Sequence, residues 1–285
     1  MRILVFGGSG LFGMVLCERL VQAGHKVDSF RRSPTAPCRT QNEILYAFRN
    51  AIELTNPDCI INLIAATNVE QCQADMGNAA LLNCFVPHAL GSLCTRSQHL
   101  VQLSSDQVYE GEGPHDEQTT RPINTYALTK LIGEYPVLQA GGCVLRTNFF
   151  GMSRTQSRAS LSDWLVAAGR NGQPVNVFED VLFSPLGMET LSNAVIRAVE
   201  LRISGLFNVG AVDGVSKAQF ARLLFETLGL DTSLLNPSTL DSAPLKAPRP
   251  RDMRMDCSRF SAVTGFRLPC VRSEIANEAI AYTRP

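Results

Sequence analysis

The stretch Tyr126-Ala127-Leu128-Thr129-Lys130 sets a phenol and an amine four residues apart. On a helix, positions four apart share a face, so Tyr126 and Lys130 point into one cleft. A free tyrosine titrates near about 10, too high for easy proton exchange at neutral pH. A neighbouring ammonium favours the phenolate and is expected to lower that value. Ser104 and Ser105 lie about twenty residues upstream, at the end of an apolar run. A hydroxyl there holds a substrate oxygen beside the phenol. Together the three groups suit proton delivery to a carbonyl that is being reduced.

Reduction needs a hydride source, and the N-terminus offers a place to hold one. Gly7-Gly8-Ser9-Gly10-Leu11-Phe12-Gly13 follows a first apolar run and opens a helix. In this pattern Gly7 makes the tight turn, Gly10 lets a pyrophosphate approach the backbone, and Gly13 lets helix and strand pack closely. The free N–H groups of the helix N-terminus face the anion. Leu11 and Phe12 fall on the same cofactor-binding turn. The second strand ends Phe30-Arg31-Arg32-Ser33. Guanidiniums form forked bonds to phosphate oxygens, so Arg31 and Arg32 suit a 2′-phosphate and favour NADP (NADPH) over NAD. Asp28 comes too early to be a ribose carboxylate and reads as part of the strand.

The elements that must position these groups alternate along the chain. Apolar runs at Ile3–Phe6, Lys26–Phe30, Cys59–Ile64, His99–Leu103 and Cys143–Arg146 are separated by helix-like stretches near 11–23, 42–54, 77–96 and 124–139. This predicts an α/β fold: a Rossmann-type, doubly wound parallel sheet with helices on both faces. Residues 1–150 form its dinucleotide-binding domain. Residues 151–285 read mainly as a smaller C-terminal substrate-binding lobe, with about 180–210 returning to the Rossmann domain. In that part a polar loop at 151–160 precedes a helix at 161–170, a strand near 174–178, a helix at 187–202 and a strand at 205–209. Ser216 is placed as the N-cap of a helix to about 228. Asn236–Pro250, with four prolines, is expected to be a loop or extended connection, and a last helix covers 271–282.

Composition narrows the function further. The 285 residues carry 26 basic and 26 acidic side chains, with no sustained basic run, which argues against a nucleic-acid partner. No apolar stretch approaches the roughly 18 residues of a membrane span. The short apolar N-terminus reads as a buried strand rather than a leader. Nine cysteines form no CxxC pair, so they are expected to be reduced core thiols of a cytoplasmic protein. His25, His88, His99 and His115 lack metal spacing, and no metal site is expected. Glu70, Cys72 and Asp75 are read as a solvated face. Trp164, the single tryptophan, is read as the anchor of the 161–170 helix ahead of a contact to a ligand.

With these pieces in place the chain resembles the extended short-chain dehydrogenase/reductases, and within them the dTDP-4-dehydrorhamnose reductase group of sugar-nucleotide reductases. The resemblance runs over the whole chain. It rests on the glycine loop, Pro57–Asn68, Leu103–Gly111, Asn124–Lys130 and Leu145–Gly151, with echoes at Phe183-Ser184-Pro185, Gly205–Gly210 and Pro248–Asp252. It implies Ser105, Tyr126 and Lys130 as the catalytic trio. It also implies Ala65, Ala66 and Thr67 along the cofactor beside Tyr126 and Lys130, and Asn83 in a supporting role. The expected partner is a small sugar nucleotide, and a homodimer is compatible with the family.

Residue 107 separates the chemistries within this group. Related 4,6-dehydratases carry Asp-Glu after the catalytic Ser/Thr, epimerase-reductases of the GDP-fucose type a Cys, and the rhamnose reductases usually a Tyr. Gln107 does not titrate and serves as no general base. Dehydration and C3/C5 epimerisation lose their proton carrier, while simple ketone reduction keeps all it needs. The sugar itself stays open. The substrate is expected to touch Asp106, Gln107, Asn148, Phe149 and Arg249. For Asp106 the alternative is a turn cap, for Phe149 and Phe150 a core role, and for Arg249 and Arg251 surface charge on a proline-rich loop. Two other functions remain: a nucleotide-sugar 4-epimerase, or a non-catalytic dinucleotide-binding subunit like that of methionine adenosyltransferase.

Overall fold

The computed structural model describes residues 1–30, 40–155 and 158–283. Strand β1 (Arg2–Phe6), helix α1 (Leu11–Gln22), β2 (Lys26–Phe30), α2 (Gln41–Thr55) and β3 (Cys59–Asn62) open the chain. They are followed by α3 (Val69–Ala74), α4 (Met76–Ala80), α5 (Val86–Leu93), β4 (His99–Ser105), α6 (Thr125–Gln139) and β5 (Cys143–Thr147). Next come β6 (Phe149–Phe150), α7 (Leu161–Arg170), β7 (Val175–Phe178), β8 (Leu182–Phe183), β9 (Leu186–Gly187), α8 (Met188–Glu200) and β10 (Gly205–Val209). The last are β11 (Val215–Ser216), α9 (Lys217–Leu228), β12 (Leu235–Ser238), β13 (Asp252–Met253), α10 (Ser258–Thr264) and α11 (Val271–Thr283).

Six strands form one sheet in the order β10-β5-β4-β3-β1-β2, and every neighbouring pair is parallel. Parallel strands buried on both faces are rich in apolar side chains, as β1 and β3 are here. Ile3 and Val5 point into a core shared with Leu16 and Leu20 of α1 and Val195 of α8. Leu4 and Phe6 point the other way, onto Phe48 and Ile52 of α2 and Leu90 of α5. This is the period-two alternation of a strand covered by helices on both sides. The order reverses at β1, which has β2 on one side and β3 on the other. Ligands of such sheets bind outside the carboxyl ends of the strands at this switch.

The remaining strands form smaller sheets. β8 sits between β11 and β13, and Phe150 and Phe183 both meet Phe220 of α9 edge-on. β12 pairs with β7 in parallel, so Pro237, expected in a loop or extended connection, lies in a strand. A two-stranded sheet has only edges, where a missing N–H is tolerated. The helix expected over 77–96 is also interrupted. Between α4 and α5 the chain makes a π-helical turn over Leu81–Phe85. Pro87, in the first turn of α5, has no N–H to return to the Asn83 carbonyl, which relaxes the ladder there. Ser216 does cap α9, accepting from Gln219 N at 3.0 Å. The short helices α3 and α10 were not expected from periodicity, being too brief to display one.

Candidate active site

The glycine loop forms a cradle that side chains would fill. Gly7 has φ +88°, and a Cβ there would stand 2.9 Å from the Leu63 backbone. A Cβ on Gly13 would fall 2.3 Å from the Gly7 carbonyl oxygen. Gly10 N–H donates to that same oxygen at 3.0 Å. Gly10 caps α1 without any side-chain bond, and no acid occupies the first turn. The helix therefore presents unmet donors and an unopposed positive end, which suits a bound pyrophosphate. Phe12 is buried and its ring meets Phe149 at 5.2 Å, tying the cradle to the wall after β5. Leu11 packs partly against the core. Arg31 and Arg32 lie outside the described residues. Asp28 is in β2, where it accepts from Arg2 Nε at 2.9 Å.

The neighbouring loop after β3 is held by two asparagines. Asn62 Oδ1 accepts from Ile64 N at 3.0 Å. Asn83, in the π-turn, accepts from Ala66 N at 2.9 Å and donates Nδ2 to the Ala66 carbonyl at 3.1 Å. Its Nδ2 also reaches Thr129 Oγ1 on α6 at 3.0 Å. Ala65 and Ala66 are half-buried and Thr67 is exposed along this loop, next to the glycine cradle.

Ser105, at the carboxyl end of β4, faces the Tyr126 phenol, and both are buried. Ser105 Oγ also donates to Asp106 Oδ1 and caps the following turn by accepting Gln107 N, each at 3.2 Å. Asp106 is thus not the turn cap: its Oδ2 accepts from Asn148 Nδ2 at 2.6 Å. Burial raises the Asp106 carboxyl to about 6, against the pull of Asn148 and Lys217. The expectation that Lys130 acidifies Tyr126 is not met. Burial pushes the phenol up to about 12, opposed by Ser105 and reinforced by Asp106. The Lys130 ammonium instead donates to the Leu103 carbonyl at 2.7 Å, and burial draws it down to about 8.

Ser104, one residue earlier, faces away into a different network. It donates to Glu134, which forms a buried ion pair with Arg146 at 2.6 Å. Arg146 donates to Tyr109 Oη at 2.8 Å, and Tyr109 donates to Asn208 Oδ1 at 2.6 Å. Strand alternation thus separates the two serines, sending one to the site and one to the scaffold.

Other expected residues stand elsewhere. Arg249 bonds to none of Ser105, Tyr126 and Lys130. It forms an ion pair with Glu70 at 2.8 Å and donates to the Ala247 carbonyl, tying the proline-rich strap to α3. Glu70 is therefore no plain solvated acid, and Cys72 is buried, packed in one apolar cluster with Tyr126 and Ala247. Asp75 caps α4. Arg251 pairs with Asp180 and Asp241. Trp164 is 51% exposed and lies outside the buried face of its helix, which Leu165, Val166 and Ala168 form. Among the described residues no group of acids, histidines and cysteines could hold a metal ion. Sequence reading missed Lys217, whose ammonium sits 3.2 Å from the Phe183 ring centroid and faces Asp106. No spacing signal links residues so far apart. A groove of about 950 Å³ lined by Leu81, Phe85, His88, Ile132, Tyr135 and Pro136 carries none of these site side chains.

A family model described as the RmlD substrate binding domain matches residues 1–283. The chain is 26% identical to the probable low-salt glycan biosynthesis reductase Agl14 of Haloferax volcanii, over 99% of each chain. It is 28% identical to a dTDP-4-dehydrorhamnose reductase of Mycolicibacterium smegmatis, over 87% of this chain and 76% of that one. Its fold superposes on a dTDP-4-dehydrorhamnose reductase of Bacillus anthracis in complex with NADP, with TM-score 0.88, 20% identity and coverage of 98% and 99%. MoeE5 in complex with UDP-glucose and NAD gives TM-score 0.80 at 20% identity, with 98% of each chain covered.

Proposed function

The chain belongs to the RmlD substrate-binding-domain family and is an NAD(P)-dependent oxidoreductase of the extended short-chain type, and from that premise we propose that it reduces the carbonyl of a 4-keto sugar nucleotide with NADPH. One observation carries this reading: the buried juxtaposition of Tyr126 and Ser105 at the carboxyl end of β4. A mere dinucleotide-holding subunit has no use for that pair.

A bound nicotinamide dinucleotide supplies the hydride. The backbone of residues 8–13 would hold its pyrophosphate, with Ala65, Ala66 and Thr67 alongside. Ser105 and Tyr126 together receive the carbonyl oxygen. As negative charge grows on that oxygen, Tyr126 gives up its proton. A phenol held near about 12 is fully protonated at neutral pH, the state a donor must start from. Lys130, anchored on the Leu103 carbonyl, would grip the nicotinamide ribose. Gln107 offers no base, which leaves dehydration and C3/C5 epimerisation without a proton carrier. Asp106, Asn148 and Phe149 line the sugar side.

The NADP preference rests on Arg31 and Arg32, and the Bacillus anthracis reductase was found with NADP. The eight described cysteines are free thiols, and no helix among the described residues is long and apolar enough to cross a membrane. Both facts suit a cytoplasmic enzyme.

The test is turnover of 4-keto sugar nucleotides by the purified protein, NADPH against NADH, followed at the nicotinamide absorbance. NADPH oxidation that depends on the sugar is expected, with NADH several-fold slower. Absence of turnover with every 4-keto sugar nucleotide overturns the reading.

A further inference from the structure

Lys217 occupies a position that stability alone disfavours. It is the first residue of α9, where the helix end is positive and a cation is unfavourable. Burial draws its ammonium down to about 8, with the charge of Asp106 opposing the fall. Among the described residues its Nζ meets no hydrogen-bond acceptor; it rests on the face of Phe183, 3.2 Å from the ring centroid. The placement is fixed by backbone: Val215 and Ser216 pair with Phe183 and Leu182, and Lys217 N donates to the Val181 carbonyl at 2.9 Å. Next to Asp106 in the turn after β4, Gln107 Oε1 is buried without a donor among the described residues.

Asp106 and Lys217 face each other without direct ion-pair contact. A gap between an anion and a cation rejects phosphate on one side and ammonium on the other. A hydroxyl, which both donates and accepts, suits such a pair. Asp106 Oδ1 lies 3.2 Å from Ser105 Oγ, a spacing that neighbouring oxygens on a sugar ring match. We propose that Lys217 is a specificity-determining residue that, with Asp106, brackets the hydroxyl on the carbon next to the reacting carbonyl, the 3-hydroxyl of a 4-keto sugar. Lys217 donates to that oxygen and Asp106 accepts its proton, while Ser105 and Tyr126 take the carbonyl beside it. The assignment rests on the reductase reading above.

The experiment compares a 4-keto sugar nucleotide with its 3-deoxy analogue in wild type, Lys217→Met and Lys217→Gln, with dinucleotide affinity and melting temperature measured alongside. A site built to bond a hydroxyl rejects the analogue that lacks it. Wild type is expected to prefer the parent by about 100-fold or more in kcat/KM. Lys217→Met should lose activity on the parent, mainly through KM, and bring the two substrates within about threefold. Lys217→Gln, which keeps a donor, should recover part of the preference, and all three should bind the dinucleotide equally. A preference that persists in Lys217→Met overturns the Lys217 assignment and leaves the reductase reading standing. Absence of wild-type turnover on the parent overturns both.

Discussion

Asn83 holds Ala66 from both sides, its Oδ1 taking the Ala66 N–H at 2.9 Å and its Nδ2 reaching the Ala66 carbonyl at 3.1 Å. The side-chain amide thereby acts as a strand neighbour for a loop that has none. The bond from the same Nδ2 to Thr129 registers that loop on α6, the helix that carries Tyr126 and Lys130. The fit is close: a Cβ on Gly133 would lie 2.0 Å from the Asn83 carbonyl oxygen.

Asn83→Ala removes these bonds and leaves both polar groups of Ala66 to find other partners. Losing part-buried partners of this kind costs about 1–3 kcal/mol. Dinucleotide affinity should fall about tenfold, with a melting temperature lower by several degrees. Fluorescence titration with NADPH and a thermal melt read the two effects. Wild-type values in both would show that the loop holds its shape without Asn83.

The two ionisable members of the trio should appear differently in a pH profile. Tyr126, at about 12, stays protonated throughout the working range and should give no limb below pH 10. Lys130, drawn down to about 8 by burial, loses its charge above that value. The alkaline fall of kcat/KM should therefore begin near pH 8 and shrink in Lys130→Arg, whose charge persists, leaving the part that Lys217, also drawn down to about 8, contributes. Tyr126→Phe should lower kcat by about 10²–10⁴ while leaving dinucleotide binding intact. A limb near pH 8 that Lys130→Arg leaves unchanged would assign it wholly to another group.

How much of this was legible in the chain depends on the range of the interaction. Strands, long helices and the glycine turn follow from period and local sterics, and they fall close to where the residues place them. Ser105, Tyr126 and Lys130 converge because each sits at a predictable point on such an element. The electrostatics did not follow, because the Tyr126 phenol answers to burial and the Lys130 ammonium to the Leu103 carbonyl. Lys217 and the π-turn at Asn83 depend on contacts between distant segments, which no local pattern reports. Trp164 shows the opposite error, since size and apolarity suggested burial that the helix face denies it.

The buried network behind the site should matter for stability more than for chemistry. Glu134 and Arg146 are 3% and 2% exposed, and Arg146 also supports Tyr109. Arg146→Ala leaves the Glu134 carboxylate buried without its partner, a loss of about 3–5 kcal/mol. Chemical denaturation should report that loss, and Glu134→Leu/Arg146→Leu should recover much of it, because no charge is stranded. A double variant no more stable than Arg146→Ala would count against this account.

The strap around Ala247 is fastened by Arg249 to Glu70 and by Asn124 Nδ2 to the Pro248 carbonyl at 2.9 Å. The ion pair is only partly buried, so it contributes about 1 kcal/mol. Arg249→Ala should loosen the strap about fivefold. Trypsin should then cut faster after the exposed Lys246, while the global melting temperature barely moves. Equal cleavage rates in the two proteins would mean that the strap is held by its other contacts.

The N-terminus of α8 is bound by two acids from α11. Gly187 N donates to Glu274 at 2.7 Å, and Glu189 N donates to Glu278 at 3.2 Å. Burial raises Glu278 to about 7, with Glu189 and Glu274 adding to the rise and the Glu189 N–H and Arg154 opposing it. A carboxyl with a raised value binds its proton more tightly in the folded chain than in the unfolded one. Its contribution to stability is therefore complete below its ordinary value and is lost as pH climbs through about 7. Glu278→Gln stays neutral at every pH and keeps an acceptor for Glu189 N. The variant should match wild type near pH 5 and exceed it by up to about 3 kcal/mol at pH 8. Denaturant midpoints at the two pH values measure this, and a difference that does not grow with pH would place the proton elsewhere.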